Sequence, residues 1–199
     1  MKGIPVVIIG TTRSGTKYMS KVFDRAGLHV GHEKFMRNGI SSFALSAGYR
    51  LMGRKFMRGG SFRDLHKVYK VFRVVHLVRD PLKAISSMQT EDNFVTSIVE
   101  YDGRTPLFRT MKHWYQWNCM AEQLSVARFK VEEIPETFET ILSLLGFRKK
   151  RRLINPYWFV NTQENTREGN YIPRSWDDLY GEDEHLADLI WAKAVQYGY

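Results

Sequence analysis

Apolar residues, Pro5 included, run without a break from Ile4 to Ile9, a β-branched stretch that reads as a strand buried on both faces. A polar, glycine-bearing turn follows. In KYMSKVFDRAG the apolar residues Met19, Val22, Phe23 and Ala26 then recur at helical spacing, and Gly27 fits a C-terminal cap. LHVGHE reads as a short second strand. Residues 35 to about 66 hold RNG, MGRKFMRGG and scattered aromatics with neither a two-residue nor a 3.6-residue period, which predicts short helices and mobile loops. YKVFRVVHLV is the next strand, and RDPLKAISSM opens a helix with Asp80 at the N-cap and Pro81 at the first helical position.

Asp92 to Thr105 is a polar loop, PLFRTMKHWYQWNCMAEQL a long amphipathic helix and ARFKVEEI a further strand. PETFETILSLLGF is a helix begun by Pro135 and ended by Gly146. After RKKRR the chain reads as irregular until a last helix from about Glu182 to Tyr197. Strands alternating with helices imply right-handed βαβ units and a mainly parallel sheet covered on both faces. In such a sheet the ligand lies beyond the carboxyl ends of the strands, so the residues after Ile9, Val30 and Val78 are expected to converge.

The 199 residues suit one domain, residues 1–199, and the 43% hydrophobic share is ordinary for a globular protein. The six-residue apolar run is too short for a signal-peptide core or a membrane span. Cys119 is the single cysteine, so no internal disulfide forms. The expectation is a buried, inert thiol in a reducing, cytoplasmic setting. Charge changes the picture more. Between Lys34 and Arg73 stand ten Lys or Arg against one acidic residue, Asp64, which accounts for the whole formal charge of +9. Segment 34–70 therefore reads as a basic, irregular, substrate-side region able to attract nucleotides, acidic glycans or nucleic acid, or else as a solvated basic surface.

GTTRSGTKYM, residues 10–19, carries Gly10 and Gly15 at phosphate-loop spacing, but Thr16 and Lys17 reverse the Lys-Ser/Thr order of ATP-binding loops. At a strand-to-helix turn, backbone N–H groups from about Ser14 to Lys17 can face one concavity at a helix N-terminus, which favours an anion. The fold expectation is thus an α/β, P-loop-type three-layer sandwich. The strong cation, Arg13, lies inside the loop, where it can neutralise a leaving group without a metal. Arg79 ends a strand at the same edge and Ser87 lies two helical turns further on, so a guanidinium and a hydroxyl can clamp a second phosphate.

TRSGT followed by VRDPLKAISS resembles the sulfotransferases that use 3′-phosphoadenosine 5′-phosphosulfate (PAPS). The resemblance implies that Arg13, Ser14, Gly15, Thr16 and Lys17 hold the 5′-phosphosulfate and that Arg79 and Ser87 hold the 3′-phosphate. GHEK resembles the Gly-Glu-Glu segment that carries the catalytic Glu of tyrosylprotein sulfotransferases, with His32 in place of the first Glu; glycan-modifying members also tend to use a carboxylate. HWYQWNCM is similar to the family's Trp-rich helix, RFKVEEI to its late strand and SLLGF to its next helix end, so the similarity extends from Ile4 to Phe147. TREGNY, with Arg167 and Gly169, resembles the basic segment that covers the 3′-phosphate.

The expected reaction is in-line transfer of a sulfuryl group from PAPS to an acceptor hydroxyl, or an amine, leaving 3′-phosphoadenosine 5′-phosphate (PAP) and requiring no metal. Glu33 is the expected base, with His32 its rival, and Arg13 steadies the departing phosphate. The acceptor class stays open among carbohydrate, small molecule and tyrosine, with the basic segment favouring an acidic or sugar-containing one. His29 and His32 are three apart on a strand and point to opposite faces, which argues against a metal pair. His76, alternating with Val74 and Val78, reads as a buried structural residue. Two other readings remain: an ATP-dependent kinase or NTPase with Asp80 linked to Mg²⁺, and a nucleic-acid-binding module built on the basic segment.

Overall fold

The computed structural model describes residues 4–45, 65, 68–90, 104–147, 159 and 171–199. Arg167, Gly169, the RKKRR run, most of the 92–105 loop and much of segment 34–70 lie outside the described residues.

The chain forms an α/β fold. Strands β1 (Val6–Ile9), β2 (Val30–His32), β3 (Gly39–Ser42), β4 (Arg73–Val78) and β5 (Ala127–Lys130) make one five-stranded, all-parallel sheet in the order β2-β3-β1-β4-β5. The helices are α1 (Thr16–Arg25), α2 (Pro81–Gln89), α3 (Pro106–Leu124), α4 (Ile134–Leu144), α5 (Trp176–Glu182) and α6 (Glu184–Tyr197). The period-two alternation of strand side chains sorts them into two layers. Val6, Ile8, Val75 and Leu77 pack with Met19, Phe23 and Phe138 of α1 and α4. Val7, Ile9 and Val74 pack with Ala121 of α3, while Val78 packs with Ile85, Trp114 and Ile190 of α2, α3 and α6. Both faces are covered, which is why β1 is apolar at every position.

Local signals account for the element ends. Gly27 is left-handed at φ 78, its N–H donates to the Asp24 carbonyl and the Leu28 N–H to that of Phe23, which closes α1 in a Schellman arrangement. Asp80 accepts from the Lys83 N–H at 3.0 Å, with Pro81 next in the chain. Among the described residues no helix is long and apolar enough to cross a membrane.

The last helix stands where the sequence places it, within two residues, with Asp183 capping α6 through the Leu186 N–H. Three features depart from the sequence reading. The stretch before the last helix, read as irregular, holds a further helix, α5, opened by a capping box at Ser175 and Asp178. Cys119 is half-buried rather than sealed in the core. Most consequentially, the predicted loop region contains β3, which lies in the sheet between β2 and β1. Neighbouring parallel strands normally need a crossover of a dozen residues or more, yet β2 returns to the start of β3 over residues 33–38. Two glycines permit this. The carbonyl of Lys34 folds back to 2.0 Å from where a Cβ on Gly31 would lie, and Gly39, at φ 144, would place a Cβ 1.9 Å from the Val6 carbonyl. Gly39→Ala therefore has no room and an unfavourable backbone; it should destabilise the fold by about 3 kcal/mol, read as a lowered urea midpoint.

Candidate active site

The carboxyl edge of the sheet gathers the ends of β1, β2, β3 and β4. After β1 the chain turns at Thr11 to Ser14, with the Ser14 N–H donating to the Thr11 carbonyl at 3.1 Å. Arg13 adopts φ 64 and Gly15 φ 94 before α1 begins. A non-glycine residue in the left-handed region costs free energy and persists only where its surroundings hold it. They do so here from four sides. The Arg79 Nη1 donates to the Arg13 carbonyl at 3.0 Å, and Arg13 Nε donates to the Ser87 carbonyl at 3.4 Å. Thr11 Oγ1 approaches Met88 Sδ at 3.6 Å, and Thr12 Oγ1 meets His113 Nε2 at 3.1 Å. Under the turn, Val131 fills the space a Cβ on Gly15 would need, 2.6 Å from it, so the loop backbone seats close on the residue that follows β5.

The first intrahelical bond of α1 runs from the Met19 N–H to the Gly15 carbonyl. The amides of Gly15, Thr16 and Lys17 precede it and have no acceptor within the helix, which makes this end a donor cluster for an anion. Ser14 behaves differently. It is fully buried, its hydroxyl has no hydrogen-bond partner, and it lies 2.4 Å from the Cβ position that Gly10 leaves empty. Its side chain is thus packed beneath the loop against Gly10. Thr16 turns its hydroxyl to His32 Nε2 at 3.4 Å while its carbonyl accepts from Ser41 Oγ at 2.7 Å, tying the start of α1 to β2 and β3. Lys17 is half-buried on the His32 side, and its charge adds to the burial that pushes the His32 imidazole down to about 4. His32 is therefore neutral at physiological pH.

Glu33 starts the reversal between β2 and β3, at φ 52. The return over residues 33–38 brings the end of β3 back to its carboxylate. Ser42 Oγ donates to Oε2 at 2.5 Å and the Phe43 N–H donates to Oε1 at 2.9 Å. Burial raises its carboxyl from the ordinary 4.5 to about 7, against the lowering effect of those two donors. The result is a rigidly held carboxylate poised near neutrality at the same edge as the loop, the condition a general base requires.

The structure thus brings Arg13, Gly15, Thr16, Lys17, Arg79 and Ser87 into one region, with Glu33 joined to it through His32 and Thr16. Asp80 caps α2, and its own N–H meets Glu132 Oε1 at 3.3 Å. His29 lies apart, on Asp24 at 3.3 Å, and His76 is buried in the sheet on Asn118 at 2.9 Å. Among the described residues no group of three His, Cys, Asp or Glu side chains could hold a metal ion. Thr12, Ser42, Phe43, His113 and Arg174 carry no recognisable motif, yet all touch the site or its supports. Arg174 reaches α2, where its N–H meets Ser86 Oγ at 2.9 Å and its Nε meets Gln89 Oε1 at 2.8 Å.

Comparison of the chain with protein-family models, with curated proteins and with solved structures finds no match, so the chemistry of the site is judged from its own residues.

Proposed function

We propose that the chain is a sulfotransferase that moves a sulfuryl group from PAPS to an acceptor hydroxyl. The observation that carries this reading is the contact of Arg79 with the Arg13 carbonyl, together with that of Arg13 with Ser87. It makes two motifs more than sixty residues apart one cationic cluster at the carboxyl edge of the sheet, flanked by a half-buried carboxylate.

The residues suit a bisphosphorylated nucleotide. The Gly15 to Lys17 amides and Arg13 offer donors for a 5′-phosphosulfate, and Arg79, a five-donor fork with one nitrogen on the loop, offers others for a 3′-phosphate beside Ser87. Bound PAPS supplies the sulfuryl group, whose bond to the 5′-phosphate oxygen breaks as the acceptor oxygen bonds to sulfur. Glu33 takes the acceptor proton, and Ser42 and Phe43 hold its two oxygens in place for that task. Arg13 and the loop amides stabilise the charge that grows on the leaving phosphate. The basic residues beside Glu33, Lys17, Lys34 and Arg37, favour an acidic or sugar-containing acceptor.

Isothermal titration tests the nucleotide assignment before any acceptor is identified. PAP should bind saturably without magnesium and at least about ten-fold tighter than AMP, since the 3′-phosphate adds charge-assisted bonds. PAP binding no tighter than AMP, or tightest binding by ATP with magnesium, would overturn it.

A further inference from the structure

Helix α3 presents two buried rings, one turn apart, to the two halves of the site. His113 and Trp117 stack with centroids 4.3 Å apart. His113 Nε2 meets Thr12 Oγ1 at 3.1 Å, in the loop. Trp117 Nε1 donates to the Phe43 carbonyl at 2.9 Å, and the Phe43 N–H in turn donates to Glu33. One peptide segment thus receives a bond from α3 on its carbonyl and gives one to the carboxylate from its amide.

The location of His113 makes a packing role a poor account. It is fully buried, and its Nδ1 has no hydrogen-bond partner. A buried polar atom without a partner is costly, and an apolar ring of the same size would pack there without that cost. What the imidazole gains over such a ring is the bond to Thr12. Burial pushes it down to about 3, so the contact is between neutral groups and persists unchanged across the physiological pH range. The spacing of four residues places both rings on one face of the helix, and the shared helix fixes the distance between the two points it holds.

We propose that His113 and Trp117 are positioning residues that hold the anion loop, through Thr12, and the Glu33 clamp, through Phe43, in fixed relation from a single helix face. The meaning of that relation for transfer rests on the sulfotransferase reading, but the bonds can be tested without it.

The test uses the whole chain with two readouts: PAP affinity by isothermal titration, and the titration of Glu33 followed by carboxyl ¹³C NMR. His113→Phe and Thr12→Val should each weaken PAP about ten-fold, and the double variant should be no worse than either one, since both remove the same bond. Neither should move the Glu33 titration. Trp117→Phe should do the reverse, raising the Glu33 pKa as the Phe43 segment loosens and changing PAP affinity less than about three-fold. Thr12→Val carries the loop arm if His113→Phe does not fold. Additive losses for Thr12 and His113, or variants that lower the melting temperature while leaving both readouts at wild-type values, would overturn the proposal. Should the wild type bind no PAP, the nucleotide reading falls, and the Trp117 arm still decides the inference: a Glu33 titration unmoved by Trp117→Phe overturns it.

Discussion

Glu33→Gln should lower sulfuryl transfer by about 10²–10⁴-fold, the range expected for loss of a general base, while leaving the fold intact. The substitution is tolerable because an amide oxygen can still accept from the Phe43 N–H, and the Ser42 hydroxyl can turn to accept from the new NH₂ group. The pH profile distinguishes this from simple damage. Wild-type turnover should rise as pH passes about 7, where the half-buried carboxyl loses its proton, and the residual rate of the variant should lack that step. Stability should move oppositely. A carboxyl that titrates near 7 when folded and near 4.5 when unfolded holds its proton more tightly in the folded state. Its contribution is therefore fully present below about pH 4.5 and is lost as pH rises through about 7. The neutral histidines 32, 76 and 113 have the contrary slope, stabilising as pH rises from about 4 for the first two and about 3 for the last toward their ordinary value. They are common to both proteins, so the difference in melting temperature between wild type and Glu33→Gln isolates the carboxyl. A wild-type transfer rate in Glu33→Gln would remove Glu33 from the mechanism.

Arg13→Ala should cut turnover by about 10²–10³-fold, the usual loss when an electrostatic group facing developing charge is removed. PAP affinity should fall by no more than about ten-fold. The asymmetry follows from the geometry. The Arg79 guanidinium bonds the backbone carbonyl of residue 13, which the substitution keeps, so the nucleotide retains that support. Alanine in the left-handed conformation at φ 64 costs about what arginine does there, so the loop is expected to stay in shape. What disappears is the charge itself and its bond to the Ser87 carbonyl. Single-turnover kinetics alongside PAP titration separate the two effects, and unchanged turnover would contradict the assignment.

The basic framework was legible because its signals are local. The unbroken apolar run of β1, the helical spacing of α1 with its closing glycine, and the Asp80-Pro81 start of α2 each depend on neighbours within a few residues. So did the placement of Arg13 and Arg79 at strand ends, since strands followed by helices must run parallel and present those ends on one edge. Strand β3 escaped because GISS is short and polar for a buried strand, and because a six-residue return between parallel neighbours depends on close backbone approaches at Gly31 and Gly39 that no periodicity encodes.

The amino-acid pattern alone therefore determined an α/β chain with a parallel sheet, an anion-favouring turn after its first strand and a carboxylate near the same edge. Only the tertiary structure decided that Glu33 is half-buried and held by Ser42 and Phe43, that Ser14 is folded under the loop, and that His113 and Trp117 reach both halves of the site from α3. The physical reason is the range of the forces involved. Propensity, capping and hydrophobic period act over a turn or two of chain. The pairing of Thr12 with His113, and of Phe43 with Trp117, joins residues 101 and 74 positions apart, which become neighbours once the sheet and its covering helices close around them.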